Sequence, residues 1–178
     1  MSFTLDIPVL ETERLLLRAW REEDLAPFAE FCASDATARF VGGPCDRMGA
    51  WRRIATHLGH WTLRGYGPLA IEDKAGGRFV GYSGLWNPEG WPEPEVIWSL
   101  MADCHGRGYA TEAARRVREF AYAQFGWRTL VSLIAPENAP SQRVAQRLGA
   151  TFERDLKIWT FTLGLYRHPG PDQLHSRS

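Results

Sequence analysis

The sequence predicts a mixed α/β domain on one central sheet. Three observations carry this. The apolar patterns follow the order strand, helices, strands, helix, strand, helix, strands. A strand–helix–strand unit spans Glu95 to Ile134, and its helix opens on two glycines one residue apart, Gly106 and Gly108. The 178 residues, 44% apolar and 24% charged, suffice for one well-buried domain and are too few for two. The domain is expected over residues 1–166, followed by a polar tail, 167–178, expected to be disordered.

The elements follow in order. Arg14 to Ala19 reads as a strand. Glu22 to Cys32 places Leu25, Phe28, Ala29 and Phe31 at helical spacing, with Pro27 tolerated near the start, and Ser34-Asp35 ends that helix. Gly42-Gly43-Pro44 is a turn. Asp46 caps a helix to about Leu63, with Trp51, Ile54, Leu58 and Trp61 on one face, and Gly65 stops it. Leu69 to Glu72 and Phe79 to Leu85 form a hairpin. Trp86 to Pro94 holds three prolines and a glycine and is a loop. Glu95 to Leu100 is a strand. The helix after the glycine turn ends near Gly126, and Thr129 to Ile134 has the continuous apolar run of a strand buried on both faces. Ser141 caps a short helix to Leu148, with Gly149 as its left-handed stop. Thr151 to Asp155 and Lys157 to Leu165 pair as a final hairpin.

Composition narrows the function classes. Formal net charge is zero, which argues against a strong field for nucleic acid or membrane surfaces. The three cysteines, Cys32, Cys45 and Cys104, have neither disulfide-framework nor zinc spacing. His57 and His60 lie one helical turn apart without further ligands, so no metal is expected and both read as solvated or capping residues. No signal peptide is visible and no apolar run approaches the ~18 residues of a membrane span, so the expected compartment is cytoplasmic.

The chemistry starts at the glycine turn. Strand, glycine-rich turn and helix together make an anion site: glycine lets the backbone approach the ligand, and free N–H groups at the helix start point at it. A P-loop needs a lysine–hydroxyl pair that is absent here, and the dinucleotide fingerprint needs a third glycine where Thr111 stands.

Gly106-Arg107-Gly108-Tyr109-Ala110-Thr111-Glu112-Ala113 resembles motif A of the GCN5-related N-acetyltransferases (GNAT), closest to their RimJ/RimL-like branch. His105 departs from that motif's usual Gln or Arg. Thr12-Glu13-Arg14-Leu15-Leu16-Leu17-Arg18 resembles the branch's opening strand, Asp24-Leu25 its next helix, Phe79-Val80-Gly81 its third strand, and Asn138, Ser141 and Leu148-Gly149 the segment before its last strands.

The resemblance implies the GNAT fold, a mostly antiparallel twisted sheet with splayed fourth and fifth strands, flanked by helices. It implies acetyl-CoA as donor, with no metal. The pyrophosphate would lie on His105, Gly106, Arg107, Gly108, Tyr109 and Ala110. The pantetheine would pair with the backbone of Leu100, Met101 and Ala102, and would meet Asn138 and Ser141. A primary amine, small or at a peptide or protein N-terminus, would attack the thioester directly. The family's tyrosine acid falls at Ala145 and is absent, so Ser141 is the candidate acid, and Glu95 is the candidate base. Trp51, Trp86, Trp91 and Glu95 are candidate acceptor contacts, with Glu89 and Glu93 adding negative charge. The branch often forms homodimers. The alternative is a non-catalytic acyl-CoA-binding module.

Overall fold

Residues 6–175 are described by the structure, a computed structural model. Strand β1 (Leu10–Glu11) pairs antiparallel with β2 (Leu15–Arg18), whose Leu15 and Leu17 are fully buried. A 3-10 turn leads into α1 (Leu25–Ala33). Its Asp24 is buried with Arg18, whose two Nη groups reach the carboxylate at 2.8 and 2.9 Å. A one-turn helix, α2 (Asp35–Ala38), follows where the sequence reading stopped.

Helix α3 (Arg47–Arg64) begins as expected: Gly49 N–H donates to the Asp46 side chain at 2.8 Å. Gly65, at φ 75°, ends it. Its buried face is Ala50, Ile54, His57, His60 and Trp61 rather than the face carrying Trp51. Both sets fit helical spacing. The small Ala50 lets α3 pack on α1, and Trp51, one residue on, is turned to solvent.

Strands β3 (Pro68–Asp73), β4 (Arg78–Trp86) and β5 (Glu95–Leu100) run antiparallel in sequence order. Then come α4 (Tyr109–Phe125), β6 (Val131–Ile134), α5 (Ala139–Arg147), β7 (Thr151–Ile158), β8 (Phe161–Arg167) and α6 (Pro171–His175). The sheet has eight strands in the order β1-β2-β3-β4-β5-β6-β8-β7. Side chains alternate across β3, so Leu69 and Ile71 join the core under α4 while Ala70 joins the aromatic core under α1 and α3.

Among the described residues β5 and β6 form the one parallel pair, through a single register position, Glu95 opposite Val131. These are the fourth and fifth strands of the sequence reading, and they splay as expected.

Three local expectations need correction. The cap of α5 is Asn138, whose side chain accepts the Ser141 N–H at 3.2 Å; Ser141 lies inside the first turn. Asn138 wins because Pro140 fits the first helical turn, which moves the start upstream. The β7–β8 turn falls at Trp159-Thr160, so β7 runs through Leu156. Residues 167–175 do not form a disordered tail. Arg167 closes β8, His168 is 2% exposed, and Tyr122 donates to Pro169 O at 2.9 Å. The apolar content of that stretch is low, but backbone pairing and a buried histidine hold it. Residues 176–178 lie outside the described ones.

Candidate active site

The splay is maintained by side chains. At the fork, Val131 N–H still donates to Pro94 O at 3.1 Å. One step further, Leu133 N–H finds the Glu95 carboxylate, 2.8 Å away, in place of a β5 carbonyl. Ser132 Oγ donates to Val96 O at 2.7 Å and so cannot also donate to His168, which makes His168 Nε2 the donor in their 3.0 Å contact. Beyond these two ties the strands part and a groove of about 1850 Å³ opens.

Glu95 is 5% exposed and lines the groove. Its second oxygen accepts Trp91 Nε1–H at 2.7 Å. Burial pushes its carboxyl up to about 7, against the pull of the Leu133 and Trp91 donors, which favour the charged form. A carboxyl poised near neutrality can take up a proton at working pH.

The glycine turn lies beyond β5. Gly106 and Gly108 have φ of 77° and 82°, a conformation open to glycine. The first helical bond of α4 runs from Glu112 N–H to Gly108 O, so the N–H groups of Tyr109, Ala110 and Thr111 have no partner within the helix. All three residues line the groove, as do His105, Gly106 and Gly108. A Cβ on Gly106 would meet nothing within 4 Å, so the turn faces open space. This arrangement fits a pyrophosphate. Met101 N–H is taken by Val80 O at 2.9 Å, so by alternation Leu100 N–H turns toward the gap. Leu100 lines the groove; Met101, Ala102 and Arg107 do not. His105 Nε2 donates to Leu100 O at 3.1 Å, which gives the residue that departs from motif A a part in closing the turn.

An unanticipated clamp holds the turn. Glu112 accepts Thr12 Oγ–H at 2.6 Å and Arg14 N–H at 3.0 Å with one oxygen, and Arg14 Nε at 2.7 Å with the other. Arg14 Nη1 donates to Arg107 O at 2.9 Å. The sequence held both halves, Thr12 and Arg14 in the opening strand and Glu112 in the glycine motif, without the contact between them. Arg115 of α4 and Arg143 and Arg147 of α5, also unforeseen, line the groove as well.

Asn138 and Ser141 line the groove from α5, opposite the fork. Trp86 and Trp91 line the other arm, with His57, Tyr82, Arg39 and Arg53. Trp51 does not belong to it: it is 59% exposed on α3. Glu89 and Glu93 do not line the groove either. Glu93 accepts two Arg167 bonds at 2.8 Å, and Glu89 is exposed beside Arg64.

Neither histidine of α3 is solvated. His60 accepts Asn87 N–H at 3.0 Å on Nε2 and donates from Nδ1 to Tyr66 O at 2.6 Å, with Trp86 stacked on its ring at 4.7 Å. His57 is buried among Trp20, Phe28 and Tyr82. No group of potential metal ligands occurs among the described residues.

The family model for the acetyltransferase (GNAT) domain matches residues 14–151. The chain belongs to the GNAT acetyltransferases. An acetyltransferase of Agrobacterium tumefaciens, solved as a crystal structure, superposes with a TM-score of 0.83 at 34% identity, covering 94% of this chain and 98% of that one. The Bacillus subtilis protein YkkB is 27% identical over 165 residues, 88% of this chain and 93% of its own. RimL, a ribosomal L7/L12 α-N-protein acetyltransferase solved with coenzyme A, shares the fold with a TM-score of 0.75 at 17% identity, covering 91% of this chain and 98% of its own. GNAT membership makes the chain an acyltransferase, in a family that uses acetyl-CoA. Among the described residues no helix is long and apolar enough to cross a membrane.

Proposed function

We propose that the chain moves an acetyl group from acetyl-CoA to a primary amine by direct attack, with Glu95 as the base. The observation that supports this most is the placement of a buried carboxyl, poised near pH 7, at the fork of the splayed strands, in one groove with the α4 N-terminus.

Acetyl-CoA supplies an activated thioester. The N–H groups of Tyr109 to Thr111 hold its pyrophosphate, and the α4 dipole adds to their pull. Leu100 N–H, aimed at the gap, meets the pantetheine or the carbonyl oxygen as negative charge develops there. Asn138 has its carbonyl oxygen tied to Ser141 N–H and keeps its amide donors for the pantetheine.

The amine nitrogen forms the new C–N bond and the C–S bond breaks. Glu95 takes the proton the amine gives up and releases it to solvent, and the Ser141 hydroxyl supplies one to the departing thiolate and regains it from solvent.

The acceptor is a small amine or a peptide or protein N-terminus. A lysine amine with pKa near ~10.4 is neutral at pH 7 about one time in two thousand, whereas an α-amine is neutral roughly 10–15% of the time. A single carboxylate base therefore suits α-amines better than lysines. The test is free-thiol release from acetyl-CoA with a panel of amines, in wild type, Glu95→Gln and Ser141→Ala. Turnover that survives both substitutions overturns the role assignments.

A further inference from the structure

The acceptor arm carries the wrong charge for a polycation. Among the described residues, the part of the lining contributed by residues 36–57, β4, β5 and the loop between those strands holds one carboxylate, Glu95, and two guanidinium groups, Arg39 and Arg53. The other acids of the groove, Glu11, Glu13, Glu112 and Glu119, belong to the opposite end around β1, β2 and α4.

Arg53 is held in place without a counter-charge. Its Nη2 donates to Gly43 O at 2.6 Å and Gly42 O at 3.2 Å, and its Nη1 lies 3.7 Å from Cys32 Sγ. All three acceptors are neutral, and no ion pair involves this half-buried side chain among the described residues. Gly42 and Gly43 have φ of 96° and 75°, and a Cβ on Gly42 would press on Arg53 Nη2 at 3.3 Å. The turn is folded around the guanidinium. A cation withdrawn part-way from water and left unpaired is costly, and a bound anion offsets that cost.

The arm also has a direction. Burial dominates at His57 and Tyr82, pushing the imidazole down to about 3 and the phenol up; on top of this Arg53 acts on both groups, and Glu95 acts on Tyr82 in the opposite sense. Tyr82 thus lies within electrostatic reach of both the Arg53 guanidinium and the Glu95 carboxylate. His57, neutral and with its Nδ1 unpartnered, lines the same wall.

The geometry points to an acceptor that is a small primary amine carrying a carboxylate or phosphate, its amine at Glu95 and its anion on Arg53. This rests on the acetyl-transfer reading. A polyamine placed in the same arm would meet two guanidinium groups and one carboxylate.

The experiment compares kcat/KM for phenylalanine, phenethylamine, O-phosphoethanolamine and spermidine at saturating acetyl-CoA, in wild type, Arg53→Met and Arg53→Lys. Coenzyme A affinity, set at the other end of the groove, checks that each variant is folded. The intrinsic reactivity of each amine cancels when one acceptor pair is compared between proteins. The preference for phenylalanine over phenethylamine is expected to fall at least tenfold in Arg53→Met and to recover in part in Arg53→Lys, which keeps the charge. The better of phenylalanine and O-phosphoethanolamine identifies the anion. An unchanged preference in Arg53→Met, or spermidine as the best wild-type acceptor, overturns the inference. If coenzyme A binds and no amine turns over, the acetyl-transfer reading fails. Calorimetric titration of phenylalanine into the coenzyme A-loaded protein then decides the inference: binding lost in Arg53→Met supports it, and binding that is absent or equal in both proteins overturns it.

Discussion

The two arms of the groove are built from different materials. The donor arm is mostly backbone: two left-handed glycines, the first N–H groups of α4 and the freed edge of β5, with Asn138 and Ser141 the side chains added from the start of α5. The acceptor arm is side chains: Trp86, Trp91, His57, Tyr82, Arg53 and Glu95, contributed by α3, β4, β5 and the loop between those strands. A backbone site tolerates change around it as long as the glycines and the helix start survive. A side-chain site can be rewritten one residue at a time. One fold can therefore keep its donor while its acceptor drifts.

Glu95 sits where the arms meet, and its removal is expected to have the largest effect. Glu95→Gln should lower kcat/KM by about a hundredfold or more, the usual worth of a general base, while the Kd for acetyl-CoA holds. Steady-state kinetics beside calorimetry separates the two. Gly108→Val attacks the donor arm alone. A β-branched residue at φ 82° costs about 1–2 kcal/mol and its Cβ would touch Arg14 Nη2 at 3.4 Å, so the acetyl-CoA Kd should rise about tenfold with no change in preference among amines. A parallel change in amine preference would show that the arms are not separable.

Trp91→Phe is a smaller perturbation within the acceptor arm. It deletes one of the two donors that favour ionised Glu95, so the acid limb of the pH–rate profile should move up by roughly one unit. A limb that stays in place would mean that Trp91 does not set the base.

Stability provides the most indirect check. The folded-state pKa of Glu95 lies near 7, above the ordinary carboxyl value of 4.5. Its contribution to stability is therefore fully present below pH 4.5 and lost as pH rises through 7. Glu95→Gln removes that dependence. Relative to wild type, the variant should gain on the order of 3 kcal/mol between pH 4.5 and pH 8, measured by denaturant unfolding. His57 and His168, both held near 3 by burial, act in the opposite direction in both proteins, so the difference between the proteins isolates Glu95.

The contrast between the arms also explains what could be read from sequence. The donor arm was legible because Gly106 and Gly108 before a helix have few structural alternatives, and because the order of elements places that turn past a strand end. Most of the acceptor arm was not. Trp51 reads as an acceptor contact by residue type, but on a helix a neighbour such as Ala50 can take the buried face instead. Glu89 and Glu93 read as acceptor charges by proximity in sequence, while Arg167, 74 positions from Glu93, claims that carboxylate. Arg53 carries no local signature: its meaning comes from two glycines ten residues earlier, turned by their φ to meet it. Ser141 reads as a cap by residue type, while Asn138, three positions earlier, is the cap the helix uses.

The central claim is that Glu95 accepts the amine's proton in an acetyl transfer within this groove. It is tested most directly by the pH dependence of kcat/KM for the amine, at saturating acetyl-CoA, in wild type and Glu95→Gln. The wild type should show an acid limb that breaks near pH 7. The variant should be slower and rise without that break toward the pKa of the amine itself. The same break in both proteins, or coenzyme A binding without turnover of any amine, would contradict the claim.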